Sequence, residues 1–452
     1  MEEFTTRTEL NGDILEHVLE AVDKGDLTGL AERLKTLHAA DIAHVLESLP
    51  PEDRAVVFNL IETEKHGPVL AEVNEGVRLS LVKEMDRAEL RQATETMEVD
   101  DAADLVGELP EKVAKDLLDA MSVQERTRIE EALSYEEETA GGIMEPVSFT
   151  LSSDSTVLDV LRDARRQKLP GRTDKFFVVD ENGVLEGSLR LSYLVSSPED
   201  ATVGSIMSHK PRTIHVNTPK DEVALLFERY DMISAGVIDD NNRLLGRITV
   251  DDVVDIIRDR GEQQMMNLAG VSEEEDLFAS VPRTTKSRSL WLGLNLLAAF
   301  AASWVIGLFE ATIQEFVALA VLMPIVASMG GNAGNQTLTV VIRGLALGQI
   351  SSANRMDLLR KEVLVGFFNG LLFAAVVAMA AVLWFKSWML GAVIALAMGI
   401  NLVTAAFLGG MIPLILKRFG VDPPLAGSVL VTTATDVVGF FVFLGLAALL
   451  IV

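Results

Sequence analysis

The chain has no cysteine in its 452 residues. That absence excludes disulfides, thiolate metal sites and cysteine nucleophiles together, and it fits a reducing compartment. Bases are scarce in one region. Of 66 acids and 39 bases, six acids and seven bases lie from Ser289 onward, which leaves 60 and 32 before it, a net −28. So acidic a segment repels phosphates. It argues against nucleic acid and anionic lipid surfaces as partners and favours divalent cations. Solubility or salt adaptation would explain the bulk charge equally, with metal binding confined to a few clusters. An apolar leader is also missing. MEEFTTRTELNGD is polar and acidic, not a signal peptide, so roughly the first 280 residues are expected in the cytoplasm.

From Ser289 the chain is nearly neutral and oily, and the scarcity of charge there isolates one residue. Asp436 lies in VTTATDVVGFFVFLGLAALLIV, a stretch otherwise apolar enough to cross a bilayer, with no Lys or Arg after it. A carboxylate in a spanning helix is costly and is kept for an ion, a proton or a partner charge. Five apolar segments are legible: Leu290 to Phe309, Phe316 to Leu345, Val363 to Phe385, Met389 to Leu416 and Pro424 to Val452. Each reaches or exceeds the ~20 residues needed to span. Pro324 and the polar run Ser328 to Thr337 are expected to break the second. Within that run, GGNAGNQ admits two readings, close packing of small residues or a pore wall. Lys286, Arg288, Arg343, Arg355, Arg360, Lys361, Lys417 and Arg418 flank one side of the spans. The positive-inside rule then puts the N-terminus in the cytoplasm and the C-terminus outside. Asp436 is expected to be the only acid deep in these spans.

Two units repeat before the spans. Ala40 to Asp53 (ADIAHVLESLPPED) resembles Ala102 to Val113 (AADLVGELPEKV). Leucines at helical spacing, stopped by Leu-Pro, predict short amphipathic helices stacked as a solenoid. Phe176 to Val195 aligns with Ala235 to Ile257, each reading strand, turn, strand, helix, with a helix ahead of it. This looks like a tandem pair of CBS domains, modules that often bind adenine nucleotides. Thr249 and Asp252 of the second copy match the pattern that holds a ribose, and the first copy lacks the acid. A purely structural pair is the other reading.

The order of parts, with YEEETAGGIMEP (Tyr135 to Pro146), GGNAGNQ and TDVVG (Thr435 to Gly439), resembles the MgtE family of magnesium channels across nearly the whole chain. The fold class implied is a mostly α multidomain membrane protein. It comprises an acidic helical domain (1–134), CBS domains (135–203 and 204–258), a connecting helix (259–285) and a five-span membrane domain (286–452). The resemblance implies a homodimer in the cell membrane whose pore is lined by the second and last spans of both subunits. Asp436 would bind hydrated Mg2+ there, with Asn335, Thr339 and Thr432 along the wall. It also implies that cytoplasmic Mg2+ closes the pore through Asp100, Asp104, Asp231, Asp252 and Asp255, with Glu72 and Asp221 matching less closely. Asp422 matches an acid near the connecting helix. Mn2+, Co2+ and Ca2+ suit the same oxygen donors, and ATP is the candidate nucleotide.

The chain departs from the family pattern in Arg258-Asp259-Arg260-Gly261-Glu262-Gln263-Gln264 and at Pro219, where further acids are usual. Weaker Mg2+-dependent locking is therefore expected. One rival is a coupled divalent-cation secondary transporter, which needs a second buried acid or base. An aspartyl protease needs two aspartates sharing a proton, and one chain offers one. A nucleotide sensor with a passive anchor leaves GGNAGNQ and Asp436 unexplained.

Overall fold

The computed structural model describes residues 7–147, 149–167, 169, 173–271 and 276–451. The extreme N-terminus and part of the expected connecting helix lie outside the described residues. The chain divides into two compact units, residues 1–260 with 274–279, and 261–273 with 280–452.

Ten short helices open the first unit: α1 Arg7–Lys24, α2 Leu27–Thr36, α3 Ala39–Glu47, α4 Pro51–Phe58, α5 Thr63–Glu72, α6 Glu75–Val82, α7 Arg87–Glu95, α8 Val99–Glu108, α9 Glu111–Ala120 and α10 Val123–Ala132. The sequence stops them often. Pro51 starts α4, Pro110 precedes α9, and Asp86 and Ser122 form capping boxes at α7 and α10. Each helix buries one apolar stripe. Ile42, Leu46, Leu70, Val77 and Leu105 join one continuous core, each such side chain stabilising it by about 1.5–3 kcal/mol. α3 packs on α5, α5 on α7 and α7 on α9, the stepwise pattern of a solenoid.

Two three-stranded sheets follow. The first joins β1 Thr150–Leu151, β2 Lys175–Val179 and β3 Leu185–Arg190, with α11 Val157–Gln167 before β2 and α12 Leu191–Ser196 after β3. After α13 Val203–Ile206, the second joins β4 Thr213–His215, β5 Ser234–Ile238 and β6 Leu244–Thr249, with α14 Lys220–Tyr230 before β5. In both, the first pair is parallel and the second antiparallel. The turns also repeat. Asp180 Oδ1 accepts from the backbone of Asn182 and Val184, and Asp239 Oδ1 from that of Asn241 and Arg243. Gly183 and Asn242 take the left-handed conformation, with φ of 79° and 57°.

The connecting helix was expected to begin near Asp259. Instead α15 runs unbroken over Val250–Ala269. Gly261 has open space around it and costs only about 1 kcal/mol in a helix interior. The stop comes at Gly270, with φ of 69°.

The second unit holds α16 Val281–Gly307, α17 Glu310–Glu315, α18 Ala318–Ala346, α19 Arg355–Phe385, α20 Trp388–Arg418 and α21 Pro423–Leu450. Among the described residues, four helices are long and apolar enough to cross a membrane: α16, α19, α20 and α21. The fifth expected span, α18, has 29 residues. Its length suffices, but Ser328 to Thr337 dilutes its hydropathy. The expected break is also absent, since α18 is one continuous helix through Pro324. α20 is the most enclosed, with 56% of its most apolar stretch buried against 11% for α16. It is therefore the core helix, and α16 presents Leu290, Leu297, Phe300 and Trp304 outward.

Candidate functional site

Three carboxylates meet at the start of α8. Glu98, Asp100 and Asp101 offer oxygens that all lie within 4.8 Å of one another. They occupy the N-cap and first turn, where free N–H groups and the helix dipole favour negative charge. The same helix buries Ala102, Ala103, Leu105 and Val106, and that face draws Asp100 inward with it. Asp100 is 9% exposed, and among the described residues its Oδ1 has no hydrogen-bond partner. Burial pushes its carboxyl up to about 8, reinforced by the charges of Asp101, Asp252, Glu145 and Glu98. Asp104, one turn on, is pushed up to about 7 by burial and Glu137, against the pull of Arg78. Asp101 rises to about 6, burial again leading, with Arg78 opposing and Glu72, Asp255 and Glu145 adding.

The structure thus gathers Glu72, Asp100, Asp101, Asp104, Asp252 and Asp255 into one electrostatic neighbourhood. Such a cluster is strained while its carboxylates are ionised and unbridged. The orphaned Asp100 oxygen and the all-carboxylate donor set fit a hard divalent cation.

The other expected ligands are engaged differently. Asp252 Oδ2 accepts from the backbone N and the Oγ1 of Thr249, both at 3.0 Å, capping α15. Thr249 Oγ1 also donates to Asp251. Asp255 pairs with Arg258 at 3.2 Å, and Asp221 with Arg260 at 2.5 Å. Asp231 is exposed and closes α14 with φ of 50°, its backbone N–H donating to Phe227 O; among the described residues its side chain has no hydrogen bond or ion pair.

In the second unit, Asn335 Nδ2 on α18 donates to Thr432 Oγ1 on α21 at 3.4 Å, and Asn335 Oδ1 is buried with no partner among the described residues. Thr339 Oγ1 turns back to Asn335 O at 2.9 Å. Asp436 is half-buried, and among the described residues nothing hydrogen-bonds or ion-pairs with its side chain. The glycines of the GGNAGNQ run serve close helix crossing, not a break. A Cβ on Gly334 would meet Val431 Cγ1 at 2.5 Å, and one on Gly409 of α20 would meet Gly334 O at 2.4 Å. Carbonyls near Thr432 belong to a continuous α21, and Thr432 O also accepts from Thr435 Oγ1 at 3.0 Å. Asp422 stands at the N-cap position of α21 and accepts from Asn267 Nδ2 at 3.1 Å, while Leu268 packs against Leu338, Ile342 and Val431. The end of α15 is therefore docked on the two helices that carry the polar motifs.

Comparison with known proteins identifies the chain. Residues 323–446 match the MgtE family described as divalent cation transporter, residues 37–138 the MgtE intracellular N domain and residues 203–259 the CBS domain. The magnesium transporter MgtE of Thermus thermophilus is 31% identical over 96% of this chain and 97% of its own. This chain belongs to the MgtE family of magnesium transporters. The MgtE of Bacillus subtilis is 25% identical over the same shares. Among solved structures, the cytosolic domain of the Mg2+ channel MgtE in complex with ATP is 31% identical, with a TM-score of 0.50, and covers 54% of this chain and 99% of that one. Family and apolar helices together make this a multi-pass membrane transporter.

Several residues of this MgtE family member escaped the sequence reading. Glu98, Asp101 and Glu145 join the acidic neighbourhood. The Asp100-Asp101 adjacency was the available signal for the second of these. Glu145 lies in the YEEETAGGIMEP stretch and is held by Arg247 Nε at 3.0 Å and Nη2 at 2.8 Å. The expectation that Asp436 stands alone among the apolar helices is corrected by Glu362. It is 6% exposed on α19 and accepts from Thr337 Oγ1 at 3.4 Å and Lys361 Nζ at 2.9 Å. Starting the third span at Val363 had placed it outside. α19 begins at Arg355, which brings Glu362 two turns inside the helix.

Proposed function

We propose that this family member is a Mg2+ channel for uptake across the cell membrane, gated by cytoplasmic Mg2+. The observation that carries the reading is Asp436, an acid in an apolar helix with no counter-charge among the described residues. A residue so placed suits a cation that comes and goes. Mg2+ sheds water reluctantly, so a carboxylate acting through its hydration shell is the appropriate ligand. We place the ion path at the two-fold axis of a homodimer. Asp436 would then be present twice, with Asn335, Thr339 and Thr432 on the wall. An inside-negative potential of ~100 mV drives a divalent cation inward by several kcal/mol, so no coupling is required. The distribution of Lys and Arg supports a cytoplasmic N-terminus and an external C-terminus.

Gating follows from the acidic neighbourhood around Asp100. Bound Mg2+ neutralises carboxylates from α5, α8 and α15 and so favours the arrangement in which they are close. Docking of Asn267 and Leu268 on α18 and α21 supports α15 as the element that conveys that state. Arg260 holds Asp221 directly, which supports weaker dependence on metal at that end. Thr249 and Asp252 are the residues proposed to meet a nucleotide such as ATP.

Mg2+ uptake into liposomes, with internal Mg2+ varied, tests this reading. Asp436→Asn should abolish permeation and selectivity, and wild type should close only at high internal Mg2+. Wild-type flux through Asp436→Asn would sink the channel reading. Glu362 favours a second reading, coupled transport, because it supplies a buried acid. Lys361 and Thr337 already satisfy that acid. Flux that persists without any Na+ or H+ gradient decides for the channel.

A further inference from the structure

Asn401 lies on α20, a helix outside the ion path proposed above, and it is 0% exposed. Its amide sits between glycines of two other helices. A Cβ on Gly330 of α18 would fall 2.4 Å from Asn401 Nδ2 and 3.1 Å from Oδ1. A Cβ on Gly439 of α21 would fall 2.9 Å and 3.2 Å from the same atoms. Neither glycine accepts a side chain unless the amide or a helix moves. Nδ2 donates to Val326 O on α18 at 2.9 Å. That carbonyl, four residues before Gly330, also faces the helical ladder, so it carries a second donor. Among the described residues, Oδ1 has no hydrogen-bond donor. The Cα atoms of two glycines flank it, and their C–H groups are weak donors at best.

A half-satisfied amide in an apolar interior is a poor way to add stability, because leucine would fill the space without an orphan acceptor. It is an effective way to fix position. The side chain touches α18 near Asn335 and α21 three residues from Asp436, and it tolerates only one spacing. We propose that Asn401 is a positioning residue. It sets the separation of α18 and α21 and thereby holds Asp436 in register with Asn335 for ion recognition. The inference rests on the channel reading of Asp436 and adds a requirement from a third helix.

The test uses the full chain in liposomes and reads Mg2+ over Na+ permeability, a ratio that depends on geometry and not on the amount of folded protein. In Asn401→Leu that ratio should fall by about tenfold or more, since displacing a positioned group by ~1 Å can cost up to about a hundredfold. Thermal stability should stay at or above wild type. Gly439→Ala, which pushes against the amide from the other side, should lower the same ratio with Asn401 intact. Wild-type selectivity in both variants would overturn the proposal. If Asn401→Leu yields little folded protein, the ratio in the recovered fraction and in Gly439→Ala still decides. Absence of Mg2+ flux in wild type, or normal flux in Asp436→Asn, would defeat the channel reading instead. Wild-type selectivity in both Asn401→Leu and Gly439→Ala beside a dead Asp436→Asn would defeat this inference and leave the channel reading standing.

Discussion

Arg54 grips Asp276 with both arms of its guanidinium: Nη1 donates to Oδ2 at 2.9 Å and Nη2 to Oδ1 at 3.1 Å. The two side chains are 1% and 7% exposed. Arg54 also donates to Leu46 O at 2.9 Å, Leu49 O at 3.0 Å and Ser80 Oγ at 3.3 Å, so the charge is met on every side. Asp276 lies shortly before α16, and the pair ties that stretch of chain into the helical solenoid. Removing one partner of such a pair leaves a buried charge and costs about 3–5 kcal/mol. Asp276→Ala should therefore lower the melting midpoint of the first unit sharply. Arg54→Met with Asp276→Leu should recover most of the loss, because the charge is then gone. Equal melting of Asp276→Ala and wild type would contradict the pairing.

The α8 cluster makes stability fall as pH rises. Asp101, Asp104 and Asp100 are raised to about 6, 7 and 8, above the ordinary aspartate value of 3.8. The folded protein binds these protons more tightly than an unfolded chain does. Their contribution is complete below the ordinary value and is lost as pH climbs through the folded values. Mg2+ competes with the same protons, so its stabilising effect should grow over that window. Melting of the first unit in the full chain, at pH ~5 and pH ~8.5 with and without Mg2+, checks both trends. A larger Mg2+ effect at the lower pH would refute the assignment.

Arg260 and Asp221 pair at 2.5 Å with side chains 29% and 47% exposed. At that exposure the pair is worth only ~0–1 kcal/mol and is screened by salt. Arg260→Glu would turn a metal-free contact into a like-charge one that a divalent cation can bridge. Closure should then occur at lower internal Mg2+ than in wild type, measured by flux against internal Mg2+. No shift would show that this end of α15 has no part in gating.

Gly334 lies where α18 and α21 approach closely. Gly334→Ala places a methyl 2.5 Å from Val431 Cγ1, and overpacking of this kind costs about 1–3 kcal/mol. The variant should melt lower in detergent and conduct less Mg2+. Val431→Ala in the same chain should restore part of both, since it removes the colliding branch. Undiminished melting in the single variant would show that the crossing has slack.

Much of the fold is legible in the sequence. Leucine spacing broken by Leu-Pro marked the short helices, because that signal acts within one turn. The two CBS-like repeats were visible because a polar turn between two β-rich runs is local chemistry. Asp436 stood out because a lone acid in an oily segment needs no neighbour to be conspicuous. The polar run in α18 misled for the same reason. Read alone, glycines beside a proline look like a break. Packed against Val431, Ala405 and Gly409, they are what lets three helices approach.

Chain order alone settled helix periods, the acidic and oily parts, the repeats and the acid inside the last apolar segment, because each is governed by residues a few positions apart. Folding settled the rest: that Glu98 and Asp101 join Asp100, that Arg260 neutralises Asp221, that Glu362 is buried, and that Asn401 sits between two glycines. Burial and charge pairing depend on which distant segments come together, and no local pattern encodes that.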